Sequence, residues 1–259
     1  MLFISGNLSM TVEAGEKMWY GISKNVKGAE LMQIHGLQKM TLLDYPGKVA
    51  CTVFLGGCNF RCPFCHNGEL LDGQFPPLMD DEELLAFLKK RQGLLDGVCI
   101  TGGEPMLRPE LPELIREIKA LGYCVKLDTN GSFPQGLRQL IGDGLVDYVA
   151  MDIKNSPQRY CETVGREVDL ASIEESVAIL LEGKVDYEFR TTVVEELHNE
   201  DSFHGIGQWI RGARRHFLQC YTHRDTVLQQ GLTAPSKETM EQYAQISAQY
   251  VQDVGIRGV

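Results

Sequence analysis

Three cysteines lie close together in the chain and are the residues best suited to bind a metal. Cys58, Cys62 and Cys65 form a C-x3-C-x2-C pattern directly after an apolar run that ends at Gly56-Gly57. Thiolates at this spacing reach one metal centre only if the loop wraps around it, and glycines permit the tight turn that such a loop needs. The spacing therefore predicts a metal centre in a loop that follows a strand.

The number of cysteines indicates the kind of metal centre. A structural zinc site takes four ligands, but the chain has no second C-x2-C pair, and His66 is awkwardly placed for joint ligation with its neighbour Cys65. A [4Fe–4S] cluster can be held by three thiolates, and its fourth iron is then open to a substrate or cofactor. The spacing favours a cluster, with zinc and a chance grouping as the alternatives.

Composition excludes several other classes of protein. The formal net charge is −10, from 35 acidic and 25 basic side chains, which argues against a nucleic-acid partner because phosphate binding needs a basic surface. No apolar run is long enough for a membrane span, no polybasic block suits a membrane surface, and the N-terminus makes a poor signal peptide. We expect a cytoplasmic protein that acts on neither nucleic acid nor membrane.

The chain divides into a short N-terminal extension and one large domain. Residues 1–30 lack a sustained apolar period, and Met32 would be a sensible first residue. We therefore expect a poorly ordered extension over residues 1–31 and a single domain over residues 32–259.

From Lys48 onward, apolar strand patterns alternate with helical patterns. This alternation predicts a parallel sheet with right-handed crossovers. The predicted strands are 49–55, 97–101, 123–127, 146–153, 187–194 and 217–221. The predicted helices are 80–91, 109–121, 135–141, 170–181, 202–214 and 237–251.

Unusual polar and glycine residues follow the ends of these strands. Periodicity alone does not separate an open doubly wound sheet from a curved partial barrel. A (β/α) barrel brings the ends of many strands together at its mouth, so the sequence favours an α/β fold, a partial (β/α)6 TIM-like barrel. The strand-end segments are the cysteine loop, Gly102-Gly103-Glu104, Asp128-Thr129-Asn130-Gly131 and Asp152-Ile153-Lys154.

Two of these segments resemble motifs of the radical S-adenosylmethionine superfamily. The cysteine pattern has aromatic Phe64 before its last cysteine, and 101–105 reads TGGEP. The resemblance covers roughly residues 33–225 and implies a radical SAM core. It further implies one [4Fe–4S] cluster with S-adenosylmethionine on the open iron. The backbone of Gly102 and Gly103 would meet the methionine amino group, and Glu104 would serve a cation or hold the loop. Phe64 would pack near the adenine or the cluster, or simply fill the loop.

The implied chemistry is a one-electron cleavage. A reduced cluster passes an electron to the sulfonium of S-adenosylmethionine, which breaks the C5′–S bond and gives methionine and a 5′-deoxyadenosyl radical. The protein's part is orientation, tuning of the cluster and exclusion of water.

The next strand ends are similar to those of glycyl-radical-enzyme activases. By that resemblance, Asp128 and Asp152 flank a monovalent cation near the methionine carboxylate, and Lys154 contacts the carboxylate. The alternative for Asp128 and Asn130 is a plain turn before the following glycine. Arg190, in the segment Arg190-Thr191-Thr192, is similar to activase residues that reach the cofactor.

Residues 36–48 and 54–67 resemble the anaerobic ribonucleoside-triphosphate reductase activating proteins, and residues 66–98 contain no cysteine for a second cluster. The resemblance implies hydrogen abstraction from a backbone glycine of a partner enzyme, with flavodoxin or ferredoxin as electron donor. Three alternatives stay open. The substrate could be another glycyl radical enzyme, or a small molecule or peptide. The third alternative is a non-catalytic zinc-binding module.

Overall fold

A nine-stranded sheet forms the centre of the fold. The computed structural model describes residues 31–72 and 75–259. Apart from Leu31, the extension predicted over residues 1–31 lies outside the described residues. The strand order is β3-β1-β2-β4-β5-β6-β7-β8-β9. The strands are β1 Gln33–Thr41, β2 Ala50–Leu55, β3 Met79–Asp80, β4 Gly97–Gly102, β5 Cys124–Thr129, β6 Tyr148–Asp152, β7 Asp186–Val193, β8 Arg215–Cys220 and β9 Asp253–Arg257.

In the part of the sheet ordered β2-β4-β5-β6-β7-β8-β9, each strand pairs in parallel with the next. Strand β1 runs antiparallel to both of its neighbours, β2 and β3. Parallel pairing places the carboxyl ends of these strands at one edge of the sheet, where the loops that carry the predicted motifs begin. Helices connect the strands: α1 Asp81–Lys89, α2 Leu111–Ala120, α3 Pro134–Gly142, α4 Tyr160–Val164, α5 Leu170–Leu181, α6 Glu200–Trp209 and α7 Lys237–Ser247.

The helix ends and buried strands follow from local sequence. Helix α1 begins with a capping box in which the Asp80 carboxylate accepts from the Glu83 N–H and Glu83 accepts from the Asp80 N–H. Strand β4 is apolar without alternation because Val98 and Ile100, like the cysteine between them, are fully buried. The longest helix in the described part of the chain has 12 residues, and none there is long and apolar enough to cross a bilayer.

The predicted fold class is confirmed, with more strands than predicted. All six predicted parallel strands are present, and β9 adds a seventh. Strand β9 was missed because it contains few long apolar residues. Its Gly255 also packs directly on the ring of Phe217, and a tertiary contact of this kind has no sequence signal. Strand β1 was missed because six of its nine residues are polar or glycine. The predicted helix 202–214 ends at Trp209, because Gly212 turns the chain with φ +86° into β8.

Candidate metal centre and cofactor cavity

The start of the cysteine loop is fixed by main-chain hydrogen bonds. The Gly56 N–H donates to Nδ1 of His35 over 3.1 Å, and the Gly56 carbonyl accepts from Nη2 of Arg108 over 2.7 Å. The next residue, Gly57, has φ +90° and donates its N–H to the Leu70 carbonyl over 2.7 Å. Both glycines of the predicted turn are therefore held in place before the first cysteine.

Arg61 holds the middle of the loop. Its Nη1 atom donates to the carbonyl oxygens of Cys58 at 2.7 Å and Phe60 at 2.8 Å. Its main-chain N–H donates to the carbonyl of Val164, at the end of α4, over 2.9 Å. The carbonyl oxygens thus point toward the guanidinium, and the loop wraps with Cys58, Cys62 and Cys65 along one cavity.

Cys62 is buried and Cys58 and Cys65 are half-buried, which affects the charge of their thiols. Burial raises the pKa of Cys58 to about 11 and that of Cys62 to about 12, although the nearby Lys154 ammonium opposes the rise in both. A metal would have to displace these protons, and metal binding to thiols releases protons in this way. Iron binds thiolate ligands strongly enough to displace these protons, and the Lys154 charge favours the thiolates.

The arrangement of donors fits a cluster better than a single zinc ion. Within residues 31–72 and 75–259, no three His, Cys, Asp or Glu side chains converge on one point suitable for a metal ion. Zinc needs such convergence because each sulfur lies roughly 2.3 Å from the ion. In an iron–sulfur cube each thiolate binds a different iron, so three thiols that line one cavity without converging on a single point are compatible with the cube.

The cavity beside the cysteines has a volume of about 240 Å³ and lies at the carboxyl ends of the parallel strands. Its lining includes nearly every residue that the sequence singled out. From the cysteine loop come Cys58, Cys62, Phe64 and Cys65; from the strand ends come Gly102, Gly103, Asp128, Asn130, Asp152, Lys154 and Arg190. Glu104 does not line it.

Gly102 and Gly103 let the end of β4 pack against the cysteine loop. A Cβ on Gly103 would collide with the Gly57 carbonyl, and Gly102 has φ +122° with its backbone against Leu55. The Gly103 N–H donates to the Leu55 carbonyl over 2.9 Å, and Nδ2 of Asn67 donates to the Gly102 carbonyl over 2.7 Å. Only glycine permits this approach, which brings the two strand ends together.

Glu104 is fully buried and holds two strand-end loops together. Its Oε1 atom accepts from the Met106 N–H at 3.1 Å and the Thr129 hydroxyl at 2.9 Å, and its Oε2 accepts from the Asn130 N–H at 2.7 Å. Burial raises the pKa of Glu104 to about 7, and these hydrogen bonds oppose the rise. Of the two roles expected for Glu104, the structure shows the contacts that hold the loop.

The acidic residues of the next two strand ends belong to a half-buried row of alternating charges. Arg190 Nη1 lies 2.9 Å from Oδ2 of Asp128, and Arg190 Nε lies 2.9 Å from Oδ1 of Asp152. Lys154 Nζ bonds the other oxygen of Asp152 at 2.8 Å, and Lys126 bonds Asp128. The cation between the two carboxylates in this structure is therefore Arg190.

The cations in this row lower the pKa values of the two carboxylates. Burial alone would raise the pKa of Asp152, but Arg190 and Lys154 hold that pKa at about 2. Arg190 and Lys126 likewise hold the pKa of Asp128 below its ordinary value against burial. Three cations against two carboxylates leave an excess positive charge beside the cavity, which suits an anionic ligand group.

Asn130 and Phe64 complete the cavity wall. The Asn130 Nδ2 donates to Oδ1 of Asn59 over 2.8 Å, and its Oδ1 accepts from the Ser132 N–H over 3.0 Å. Asn130 therefore makes the turn that was the simpler alternative, whereas Asp128 does not. The Phe64 ring is buried with the Lys154 ammonium 6.0 Å from its centroid.

Sequence reasoning missed Lys126 and Asn59. Lys126 lies in the apolar strand β5, 2 % exposed, with its ammonium 3.7 Å from the Cys99 sulfur. A lysine within an apolar run was a detectable signal, since a buried lysine requires a partner. Asn59 carried no signal, because its bonds to Asn130 and Ser132 join segments more than 70 residues apart.

The fold and the site define an α/β protein of partial-barrel type, with a cysteine-lined cavity at the carboxyl ends of its parallel strands. Residues 52–205 match the radical SAM superfamily. The chain belongs to this superfamily, and membership implies a [4Fe–4S] cluster and S-adenosylmethionine, to which the cysteine loop described above is suited.

Two relatives have activating-enzyme names. A protein of Methanocaldococcus jannaschii, provisionally named a glycyl-radical enzyme activating enzyme, is 29% identical over 236 residues, which cover 87% of this chain and 96% of the relative. The pyruvate formate-lyase-activating enzyme of Clostridium pasteurianum is 32% identical over 128 residues, 48% of this chain and 52% of the relative.

Solved structures share the fold at low sequence identity. Streptococcus suis SuiB bound to S-adenosylmethionine superposes with a TM-score of 0.61 and 12% identity, over 78% of this chain and 48% of SuiB. Escherichia coli coproporphyrinogen III oxidase, a radical SAM enzyme, gives a TM-score of 0.55 and 14% identity, over 80% of this chain and 54% of the oxidase. The chain thus spans about half the length of these two proteins.

Proposed function

We propose that this chain is a cytoplasmic glycyl-radical-enzyme activase, and that its partner is an anaerobic ribonucleoside-triphosphate reductase. The observation that carries the proposal is one cavity lined by Cys58, Cys62 and Cys65 on one side and by Asp152 and Lys154 on the other. The thiols that would hold the cluster and the ammonium that would hold an anionic group therefore line the same cavity. When bound, the cluster and S-adenosylmethionine supply a one-electron cleavage that yields methionine and a hydrogen-abstracting 5′-deoxyadenosyl radical.

The protein's own residues would bind and orient S-adenosylmethionine. Lys154 carries a charge suited to the methionine carboxylate, and the half-buried backbone of Gly102 and Gly103 lines the cavity, where the Gly103 carbonyl would accept from the amino group. Phe64 offers an apolar face for the adenine or the cluster. Arg190 already supplies the positive charge between Asp128 and Asp152, so the proposal needs no inorganic cation between them.

The relative from M. jannaschii supports a protein substrate. It aligns along 96% of its length, so the likeness extends beyond the shared superfamily core. In the proposed reaction the 5′-deoxyadenosyl radical takes one hydrogen atom from a glycine Cα. The products are 5′-deoxyadenosine and a glycyl radical, and a flavodoxin or ferredoxin supplies the one electron that the cleavage consumes.

The test is anaerobic reconstitution with iron and sulfide, followed by reductant, S-adenosylmethionine and a candidate anaerobic ribonucleotide reductase. The expected result is a glycyl radical EPR signal on the reductase, with 5′-deoxyadenosine formed in equal amount. A Gly→Ala variant of the reductase at its radical site is the matched control and should give no signal. Formation of 5′-deoxyadenosine with no glycyl radical on any candidate partner contradicts the activase proposal.

A small-molecule substrate is the second candidate. A 7-carboxy-7-deazaguanine synthase from Hyperthermus butylicus is 37% identical over 95 residues, but these cover only 36% of this chain. A match of this length is explained by the common superfamily core and does not indicate a common substrate. Incubation with 7-carboxy-7-deazaguanine precursors, analysed by mass spectrometry, distinguishes this candidate because a product would appear without any partner protein.

A further inference from the structure

A segment after β8 lies against the end of the cysteine loop. Residues 222–230, here called the covering segment, begin two residues after the end of β8 and contain no helix or strand. None of residues 222–230 lines the cavity, whereas Cys65 and His66 do. The Val227 side chain is buried in the hydrophobic core and anchors the segment. The covering segment therefore contacts the loop from outside the cavity.

Two hydrogen bonds from the covering segment flank Cys65. The Gln229 N–H donates to the Pro63 carbonyl over 2.9 Å, and the Thr226 hydroxyl donates to the His66 carbonyl over 3.1 Å. Pro63 precedes Cys65 by two positions, and His66 follows it directly. The main chain on both sides of this cysteine is therefore tied to a distant part of the chain.

The His66 side chain makes a third connection. Its Nε2 atom lies 2.7 Å from the Thr222 carbonyl oxygen. A carbonyl oxygen only accepts, so Nε2 carries a proton and donates it. The His66 ring also lies beside the ring of Tyr221, with the two centroids 5.9 Å apart. This ring nitrogen thus attaches the loop to the covering segment and is not free to bind a metal.

Close packing at Gly68 completes the contact. A Cβ on Gly68 would lie 2.5 Å from the Thr226 carbonyl oxygen and 3.3 Å from a methyl carbon of Leu228. The φ angle of Gly68 lies outside the left-handed region, so its conformation does not require glycine. The absence of a side chain is explained by the room that the covering segment takes.

We propose that the covering segment positions Cys65 and slows the release of iron from a bound cluster. This inference rests on the proposed function, of which the cluster is a part. Iron is released only when a thiolate ligand moves away, and the main chain beside Cys65 limits how far its sulfur moves. His35 and Arg108 hold the start of the loop and Arg61 holds its middle. The covering segment gives the third ligand an equivalent support.

The test is the rate of iron transfer from the anaerobically reconstituted protein to bathophenanthroline disulfonate, followed by absorbance, without S-adenosylmethionine or partner. Thr226→Val removes the donor to the His66 carbonyl, and transfer should be about 2- to 10-fold faster, as expected for one hydrogen bond. Thr226→Ser keeps the hydroxyl and should retain the wild-type rate. Thr222→Val is the matched control, because the connection at Thr222 uses its main-chain carbonyl. It should also retain the wild-type rate.

Gly68→Ala tests the same contact by crowding. The added methyl group would collide with the Thr226 carbonyl, so the covering segment should be displaced and iron transfer should be at least 2-fold faster. Gly142→Ala is its control, since a Cβ at that position has no neighbour within 4 Å. Wild-type rates in both Thr226→Val and Gly68→Ala would overturn the inference.

Hydrogen exchange in the metal-free protein separates this inference from the proposed function. The Gln229 N–H should exchange faster in Thr226→Val and Gly68→Ala than in the wild type, because its bond to Pro63 breaks when the covering segment leaves the loop. Unchanged exchange in both variants would overturn the inference whether or not a cluster loads. Failure of the wild type to load a cluster, with faster exchange in both variants, would contradict the proposed function and support the positioning of the loop.

Discussion

The Nη1 atom of Arg190 lies 2.9 Å from Oδ2 of Asp128, although 62 residues separate them in the chain. Arg190 lies on β7 and Asp128 on β5, with β6 between them in the sheet. The same guanidinium reaches Asp152, its register partner on β6. One side chain therefore joins three consecutive strands at the edge of the candidate cavity.

Removal of Arg190 should strongly destabilise the protein. Arg190→Gln leaves Asp128 paired only with Lys126 and Asp152 paired only with Lys154. Because each carboxylate keeps one cation, we expect a loss of about 2–3 kcal/mol, below the roughly 3–5 kcal/mol of an unpaired buried charge. The measurement is urea unfolding of the metal-free protein. Arg138→Gln is the control, since Arg138 is half exposed and pairs with Glu175 and Glu182 at 3.3 Å or more. That change should cost no more than about 1 kcal/mol, and equal losses would contradict the account.

Cleavage of S-adenosylmethionine should not depend on an added alkali metal ion. Arg190 already holds the position between Asp128 and Asp152, so no site for sodium or potassium is needed there. We expect equal rates of 5′-deoxyadenosine formation in potassium buffer and in a buffer whose only cation is tetramethylammonium. A several-fold lower rate in tetramethylammonium would show that Arg190 leaves this position when the cofactor binds.

Replacement of Glu104 should weaken the cavity although Glu104 does not line it. In Glu104→Gln an amide N–H₂ replaces a carboxylate oxygen, so at least one main-chain donor at Met106 or Asn130 loses its acceptor. The expected loss is about 1–3 kcal/mol in the free energy of unfolding, with weaker binding of S-adenosylmethionine in calorimetry. Glu113→Gln, at an exposed pair with Arg116, should change neither quantity.

His216 should make the protein less stable in weak acid. It is fully buried, its Nε2 lies 3.0 Å from the Thr191 hydroxyl, and burial lowers its pKa from 6.5 to about 3. The unfolded chain therefore binds a proton between these pH values that the folded chain does not, and stability falls as the pH drops through this window. The slope is at most about 1.4 kcal/mol per pH unit.

The matched pair for this prediction is His216→Leu and His223→Leu. Loss of the buried imidazole should remove its share of the pH dependence of the unfolding free energy. His223 is about half exposed, and its replacement should leave the wild-type slope. Identical slopes in the wild type and His216→Leu would exclude His216 as the titrating group.

Much of the barrel was predictable because its parallel strands are apolar runs between clear turn signals. Strand β9 was not, since its position depends on Gly255 meeting Phe217. For the site, spacing identified the cysteines, and strand ends identified Asp128 and Asp152. The cation that pairs with those two acids could not be predicted. Arg190 reaches them because the strand register places it opposite Asp152, and the sequence does not show that register.

The most direct test of the account is reductive cleavage by the reconstituted protein and its Cys62→Ser variant. We predict one [4Fe–4S] cluster per wild-type chain, an EPR signal of the reduced cluster that changes when S-adenosylmethionine is added, and formation of 5′-deoxyadenosine. The Cys62→Ser protein should form no 5′-deoxyadenosine. Stoichiometric zinc in place of iron and sulfide, or undiminished cleavage by Cys62→Ser, would contradict the assignment of the three cysteines to a catalytic cluster.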